Sequence, residues 1–272
     1  MPNNWMLLLG QIFGFYLLLV LAAYILQDYM LYPAGKISPE QAKNRYARAG
    51  MAPWPGKVPG HQGYLAVSDN PDAKGTVIVF HGNAGTALDR TYYSDALNRL
   101  GYRVILAEYP GYGCREGKYG EKFFVPDAVE SVIAARNQFG SPIFLFGESL
   151  GAGVAAAVVA EQQELVDGIA MITPWDSLPS LAQGKFWFLP ARFIVKSRFD
   201  SIANLAEYGG PKAVLLSTED QIIPPKHALK LYESLPEPKD LWKFEGAGHN
   251  SWPWYPDEAW WGEVMEFLDS SW

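Results

Sequence analysis

Four short apolar runs punctuate the chain: TVIVF (76–80), RVILA (103–107), PIFLF (142–146) and KAVLL (212–216). None alternates apolar with polar residues. A strand with one wet face alternates, whereas a strand buried on both faces does not. Helical patterns lie between the runs, and repeated strand–helix units dictate a parallel α/β sheet with right-handed crossovers and helices on both faces. Ligand sites in such sheets sit beyond the carboxyl ends of the strands. The residues just after each strand therefore carry the functional information.

The strands expected are 61–67, 76–80, 103–108, 143–146, 168–172, 213–217 and 241–244. The helices expected are 91–100, 127–139, 150–163, 226–234 and 257–269. Residues 51–60 (MAPWPGKVPG) read as a loop on their Pro and Gly content.

After the strand ending at Phe146 stands Gly147-Glu148-Ser149-Leu150-Gly151, followed by a helix rich in Ala and Val. This is G-x-S-x-G in the strand–turn–helix setting that projects a serine hydroxyl above a sheet. The flanking glycines allow a close approach of helix and strand. The helix N-terminus behind Ser149 places partial positive charge where an oxyanion would develop. The alternative is a tight structural turn.

A serine hydroxyl needs a base. Of the four histidines, His61 opens the first expected strand and His227 falls in a helix. His81 opens the loop His81-Gly82-Asn83-Ala84-Gly85 and reads as a packed histidine shaping it. His249, in Gly246-Ala247-Gly248-His249-Asn250 after the last strand, reaches the Ser149 edge and is the candidate base. Asp220, in the loop after the 213–217 strand, is the candidate acid, with Asp176 and Glu219 as rivals. The order Ser149, Asp220, His249 is that of an α/β-hydrolase triad. The amide of Leu150 and that of Asn83, or of its neighbour Ala84, are the candidate oxyanion donors.

The segments FHGNAG, EYPGYG, FGESLGA, RFDS, STEDQIIPP and GAGHN together resemble the α/β-hydrolase superfamily, in a branch of membrane-associated serine hydrolases near the serine-aminopeptidase and lysophospholipase-like groups. The resemblance covers residues 31–268. It implies an α/β-hydrolase fold, with Ser149 as nucleophile, His249 as base, Asp220 as acid, and Asn83 and Leu150 at the oxyanion hole. The activity it implies is hydrolysis of acyl esters or thioesters of lipid-like or acylated substrates. An amidase or peptidase on the same triad is the alternative within enzymes, and an inactive membrane-tethered binding protein is the alternative outside them. The chain departs from the usual Y-R-G-Y-G at Tyr109-Pro110-Gly111-Tyr112-Gly113, and from a usual His-Gly at Ser217-Thr218.

Residues 174–203 stand where this fold inserts a cap, here a short one. Phe186, Trp187, Phe188, Leu189, Phe193 and Ile194 within it are candidate acyl-pocket walls, with ordinary cap-to-core packing and membrane contact as the alternatives, and Arg198 with Asp200 reads as a structural ion pair. Trp252 is a further candidate for the acyl site. It belongs to a group, with Trp254, Trp260, Trp261 and Trp272, expected to pack the last helix and brace the histidine loop. Cys114 has no base beside it in the sequence reading, and one cysteine makes neither an internal disulfide nor a zinc cluster. No metal-ligand spacing or nucleotide fingerprint is visible, so no metal or cofactor is expected.

Charged residues are only 19% against about 25% in typical soluble chains, because apolar residues are unevenly placed. Trp5–Leu26 is 22 residues without a charge, long enough to span a bilayer, which takes about 20. A cleaved signal peptide is the rival reading. Residues 1–30 are thus expected to be a single-pass anchor and 31–272 the catalytic domain. Lys36, Lys43, Arg45, Arg48 and Lys57 follow the run and none precedes it, which puts that domain on the cytoplasmic side. The partners expected are the membrane and a small-molecule or lipid acyl substrate. A net charge of −7 argues against nucleic acid. Oligomeric state is not legible.

Overall fold

A computed structural model describes residues 4–58, 60–66 and 72–270. In chain order the elements are α1 (Asn4–Leu31), α2 (Pro39–Arg48), β1 (Met51–Trp54), β2 (Gly63–Ala66), β3 (Thr76–Phe80), α3 (Thr91–Arg99), β4 (Arg103–Ala107), α4 (Glu121–Phe139), β5 (Ile143–Glu148) and α5 (Leu150–Gln162). They continue with β6 (Gly168–Ile172), α6 (Leu178–Lys185), α7 (Ala191–Ile194), α8 (Ser201–Leu205), β7 (Lys212–Ser217), α9 (Pro225–Ser234), β8 (Lys239–Phe244) and α10 (Trp260–Asp269).

One eight-stranded sheet runs in the order β1-β2-β4-β3-β5-β6-β7-β8. The pairs from β4 to β8 are parallel, and β1 and β2 pair antiparallel at one edge. The non-alternating runs have the cause inferred for them. Ile78, Phe80, Ile105 and Leu145 face a core closed by α4, α5, α8 and α9. Val77, Val79, Val104 and Phe146 face a second core closed by α2, α3 and α10. Both faces of β3, β4 and β5 are dry, so apart from Thr76, Arg103 and Glu148 at the strand ends their residues are apolar.

Besides the short cap helices α6, α7 and α8, β1 and α2 lie outside the sequence expectation. Residues 51–54, expected as loop, form the edge strand β1. Its Pro53 is tolerated because an edge strand has one side without ladder bonds. The strand expected over 61–67 is Gly63–Ala66, with Val67 outside the described residues. Helix α2 lies outside the expected helices because it is strongly polar and Ala42 is its only buried residue.

Helix α1 is exposed and apolar over most of its length, and is long and apolar enough to cross a membrane. Its last residues turn inward: Leu31 packs against the first core and Tyr32 is part of it.

Candidate active site

Ser149 occupies the turn between β5 and α5 with φ 54° and ψ −111°. A β-branched or bulky residue at positive φ is a true outlier, and even serine is strained there. The turn closes because Gly147 and Gly151 lack side chains. A Cβ on Gly147 would strike the main chain of Gly151 and Ala152, and one on Gly151 would strike the main chain of Phe80.

The loop after β7 presents Asp220. Its Oδ1 accepts the main-chain amides of Ile222 and Ile223, both at 2.8 Å, which leaves Oδ2 facing outward. His249 donates from Nδ1 to that Oδ2 at 2.6 Å, and its Nε2 accepts from Ser149 Oγ at 3.0 Å. The two carrier loops are stitched together. Glu219 N donates to Ala247 O at 2.9 Å, and Gly246 N donates to Thr218 Oγ1 at 2.9 Å. The three candidate residues, 100 and 29 positions apart along the chain, form one hydrogen-bonded line.

Asn83, Ala84 and Leu150 line the cavity above Ser149. The Asn83 loop is held from three sides. Tyr112 donates its phenol to Asn83 O at 2.8 Å, Tyr109 donates to His81 O at 2.7 Å, and Asn83 Nδ2 donates to Leu31 O at 3.2 Å. His81 is the packed histidine expected. Its Nδ1 donates to Gly82 O at 2.7 Å and its Nε2 lies 3.1 Å from Glu108.

The rival acid Asp176 is engaged elsewhere. His227 Nδ1 meets its Oδ1 at 2.7 Å and Lys230 Nζ donates to its Oδ2 at 2.7 Å, pinning the start of the cap to α9. Burial alone would raise the Asp176 pKa, but the bonds from His227, Lys230, Ser180 and the Ser177 backbone hold it well below the usual carboxylate range.

The cavity has a volume of about 380 Å³ and is mainly apolar. Its walls come from the end of α1 (Met30, Leu31, Tyr32), from the cap (Leu178, Leu181, Ala182, Lys185, Phe186) and from Ile222 and Ile223. Phe186 is therefore where the sequence reading put it. Trp252 is not. It is only 3% exposed and stacks on Phe244 and against Trp260 and Trp261, bracing the base of the histidine loop instead of lining the cavity. Its large apolar face is more stable in that aromatic cluster than at a wet rim. Trp272 lies outside the described residues.

Two smaller expectations also change. Arg198 donates to Arg192 O and Asp200 caps α8 through Ala203 N, so they serve separate local bonds. Cys114 does have neighbours, with His61 Nε2 and Tyr64 OH each 3.9 Å from Sγ, but it does not line the cavity.

The sequence reading missed Arg90. From the N-cap position of α3 it reaches into the cavity wall and pairs with Glu148, which also accepts from Tyr92 and Tyr93. The only signal available was the buried-side glutamate within G-x-S-x-G, a charge that must find a partner.

With the geometry established, comparison with known proteins places the chain. The family model for serine aminopeptidase, S33, matches residues 71–201. An uncharacterized protein of Mycobacterium tuberculosis is 30% identical over 177 residues, covering 64% of this chain and 62% of that one. The chain thus matches less than two thirds of that curated relative's length. Human alpha/beta hydrolase domain-containing protein 17B is 26% identical over 208 residues, covering 75% of this chain and 68% of the relative. Among solved structures, Est1E from Butyrivibrio proteoclasticus with ferulic acid bound superposes with TM-score 0.61 at 17% identity, covering 76% of this chain and 92% of that one. A monoacylglycerol lipase from Paleococcus ferrophilus superposes with TM-score 0.55 at 22% identity, covering 72% and 94%. The chain has the α/β-hydrolase fold, and over residues 71–201 it is similar to the serine aminopeptidase, S33, family.

Proposed function

We propose that this protein is a membrane-anchored serine hydrolase that cleaves acyl esters or thioesters by two-step acyl transfer. The observation that carries the reading is the line Asp220–His249–Ser149, with contacts of 2.6 and 3.0 Å, at the floor of an apolar cavity. His249 takes the Ser149 proton as Oγ attacks the acyl carbonyl. The oxyanion is held by the amides of Asn83 and Leu150. The leaving alcohol or thiol departs with the proton from His249. Water deprotonated by His249 then attacks the acyl-serine and releases the acid. The apolar walls suit an acyl chain, and no step calls on a metal or cofactor.

Helix α1 serves as a single-pass anchor, and the basic residues that follow it support a cytoplasmic catalytic domain. The serine aminopeptidase match favours an amidase or peptidase as the second reading. Against it, an aminopeptidase needs a carboxylate for the substrate ammonium. Glu148, the carboxylate among the described cavity residues, is already engaged by Arg90, Tyr92 and Tyr93.

The test is turnover of p-nitrophenyl butyrate and labelling by a fluorophosphonate probe. Both are expected in the wild type and both are lost in Ser149→Ala with the fold intact. Unchanged turnover in that variant overturns the assignment. A folded wild type that neither turns over the ester nor takes the label points to the inactive binding protein.

A further inference from the structure

The cavity above Ser149 has a neighbour beside the cap. Met30, Leu31, Ala182 and Phe186 line the first, and the same four residues line a second, smaller cavity of about 80 Å³. That second cavity lies between α1 and the cap and ends against Ala23 and Gln27 of α1 and Ala191 of α7. The two adjoining apolar cavities thus line up as a slot between the reactive serine and the flank of the helix that is long enough to cross a membrane, with these four residues at their junction.

The cap is fastened to that flank at two levels. Near the end of α1, the Gln27 amide donates to Ile194 O at 3.1 Å and accepts from Lys196 N at 2.7 Å, and Lys196 pairs with Asp28 at 3.4 Å. Farther back, the Tyr16 phenol donates to Phe188 O at 3.2 Å. Tyr16 precedes Asp28 by twelve residues, about 18 Å along a helix rising 1.5 Å per residue. A hydrocarbon core is about 30 Å thick. If the charged pair Asp28–Lys196 lies at the headgroups, the Phe188 level lies well inside the hydrocarbon.

The cap surface fits that depth. Trp187 and Phe193 are 79% and 78% exposed and Phe188 about half exposed, an aromatic cluster beside the exposed apolar face of α1. Exposed apolar patches of this kind mark an interaction surface. Arg192 lies beside Phe193, its guanidinium 5.5 Å from the ring centre, and a side chain of that length reaches out to headgroup phosphates.

We infer that the cap tip, with Trp187, Phe188 and Phe193, is seated in the lipid, and that the acyl chain of a bilayer-held substrate reaches Ser149 sideways through the slot between α1 and the cap. The inference rests on the hydrolase reading above and names its substrate class as an acylated molecule whose chain resides in the membrane. A soluble short-chain ester has no need of the slot and enters from the water side.

The test uses the full chain in phosphatidylcholine vesicles. Phe193→Cys in a Cys114→Ser background is labelled with an environment-sensitive fluorophore. Quenching by doxyl-labelled lipid and protection from iodide are expected, and the reverse overturns the seating of the cap. Ala23→Trp, on the membrane helix and therefore outside the folded sheet, fills the far end of the slot. Turnover of vesicle-held p-nitrophenyl palmitate relative to p-nitrophenyl butyrate is expected to fall at least about tenfold. An unchanged ratio in an active enzyme overturns the slot alone. A wild type that hydrolyses neither ester overturns the hydrolase reading and the slot with it.

Discussion

Arg90 donates from Nε to Glu148 at 3.0 Å, and the Glu148 oxygen it meets also accepts the phenols of Tyr92 and Tyr93, at 3.0 and 3.3 Å. Side-chain exposure is 18% for Arg90 and 10% for Glu148, one residue before the strained serine. Burial alone would lower the Arg90 pKa, but the Glu148 charge outweighs it and keeps the guanidinium protonated. The phenols of Tyr92 and Tyr93 are held protonated by burial and by the same carboxylate.

Removing one partner of such a pair leaves an uncompensated buried charge. Arg90→Met is therefore expected to lower stability by about 3 kcal/mol. Arg90→Met with Glu148→Gln is expected to recover most of that loss, because no charge is left without its counter-ion. Urea unfolding of the wild type, both single variants and the double variant checks this. A double variant as unstable as the sum of the singles would show that the pair acts through packing alone.

Asp220→Asn tests the third member of the proposed triad. Asparagine keeps an oxygen for the amides of Ile222 and Ile223, so the loop is expected to hold. Its NH2 group then faces His249 Nδ1 and favours the tautomer with the proton on Nε2, which cannot accept from Ser149. A loss of about 10³–10⁴-fold in kcat on p-nitrophenyl butyrate is expected, with KM little changed. A loss under about tenfold moves the acid role to another residue.

What could be read from the chain divides along the same physical line. Strands β3 to β7 were legible to within a residue or two, because burial on both faces leaves unbroken apolar runs. Ser149 and Asp220 were legible as candidates because each follows such a run, and His249 because its glycine-flanked loop follows β8, a largely half-exposed edge strand. Helix α2 carries its signal in the box Ser38-x-x-Gln41, where both reciprocal bonds form. Helix α4 begins at Glu121, ahead of the expected 127, because Pro126 reads as a helix breaker yet sits inside it. Trp252 and Arg90 were beyond reach because their partners are set by tertiary packing: Tyr92 and Tyr93 from α3, and Trp260 and Trp261 from α10, meet around β5 and β8.

Asp176, though excluded from the Ser149 line, is expected to matter for acid stability. Its folded pKa lies below the unfolded value, which is about 3.9. The stabilisation is therefore fully present above about pH 4 and is lost as pH falls through the folded value. Asp176→Asn is expected to be less stable than wild type at pH 7, with the gap narrowing below about pH 4. Thermal unfolding at pH 7 and pH 3.5 measures it. A gap independent of pH would show that the carboxylate charge contributes nothing.

Lys212 sets the opposite edge of the profile. It is fully buried at the start of β7, donates to Tyr208 O at 2.8 Å and to Gly210 O, and its pKa is pushed down to about 8. Burial is the main cause, with Glu237 opposing it and Lys239 adding to it. An unfolded lysine titrates near 10.4. Between about pH 8 and 10 the unfolded chain holds a proton that folded Lys212 has released, so this residue makes stability rise with pH. Buried tyrosines such as Tyr93 and Tyr109, held protonated in the fold, pull the other way only above about pH 10, the ordinary tyrosine value. Lys212→Met removes the titration and keeps an apolar stem in place. The stability difference between wild type and Lys212→Met, measured by urea unfolding at pH 8 and pH 9.5, is expected to move in favour of the wild type at the higher pH. A difference that does not change across that window would show that Lys212 stays protonated in the folded sheet.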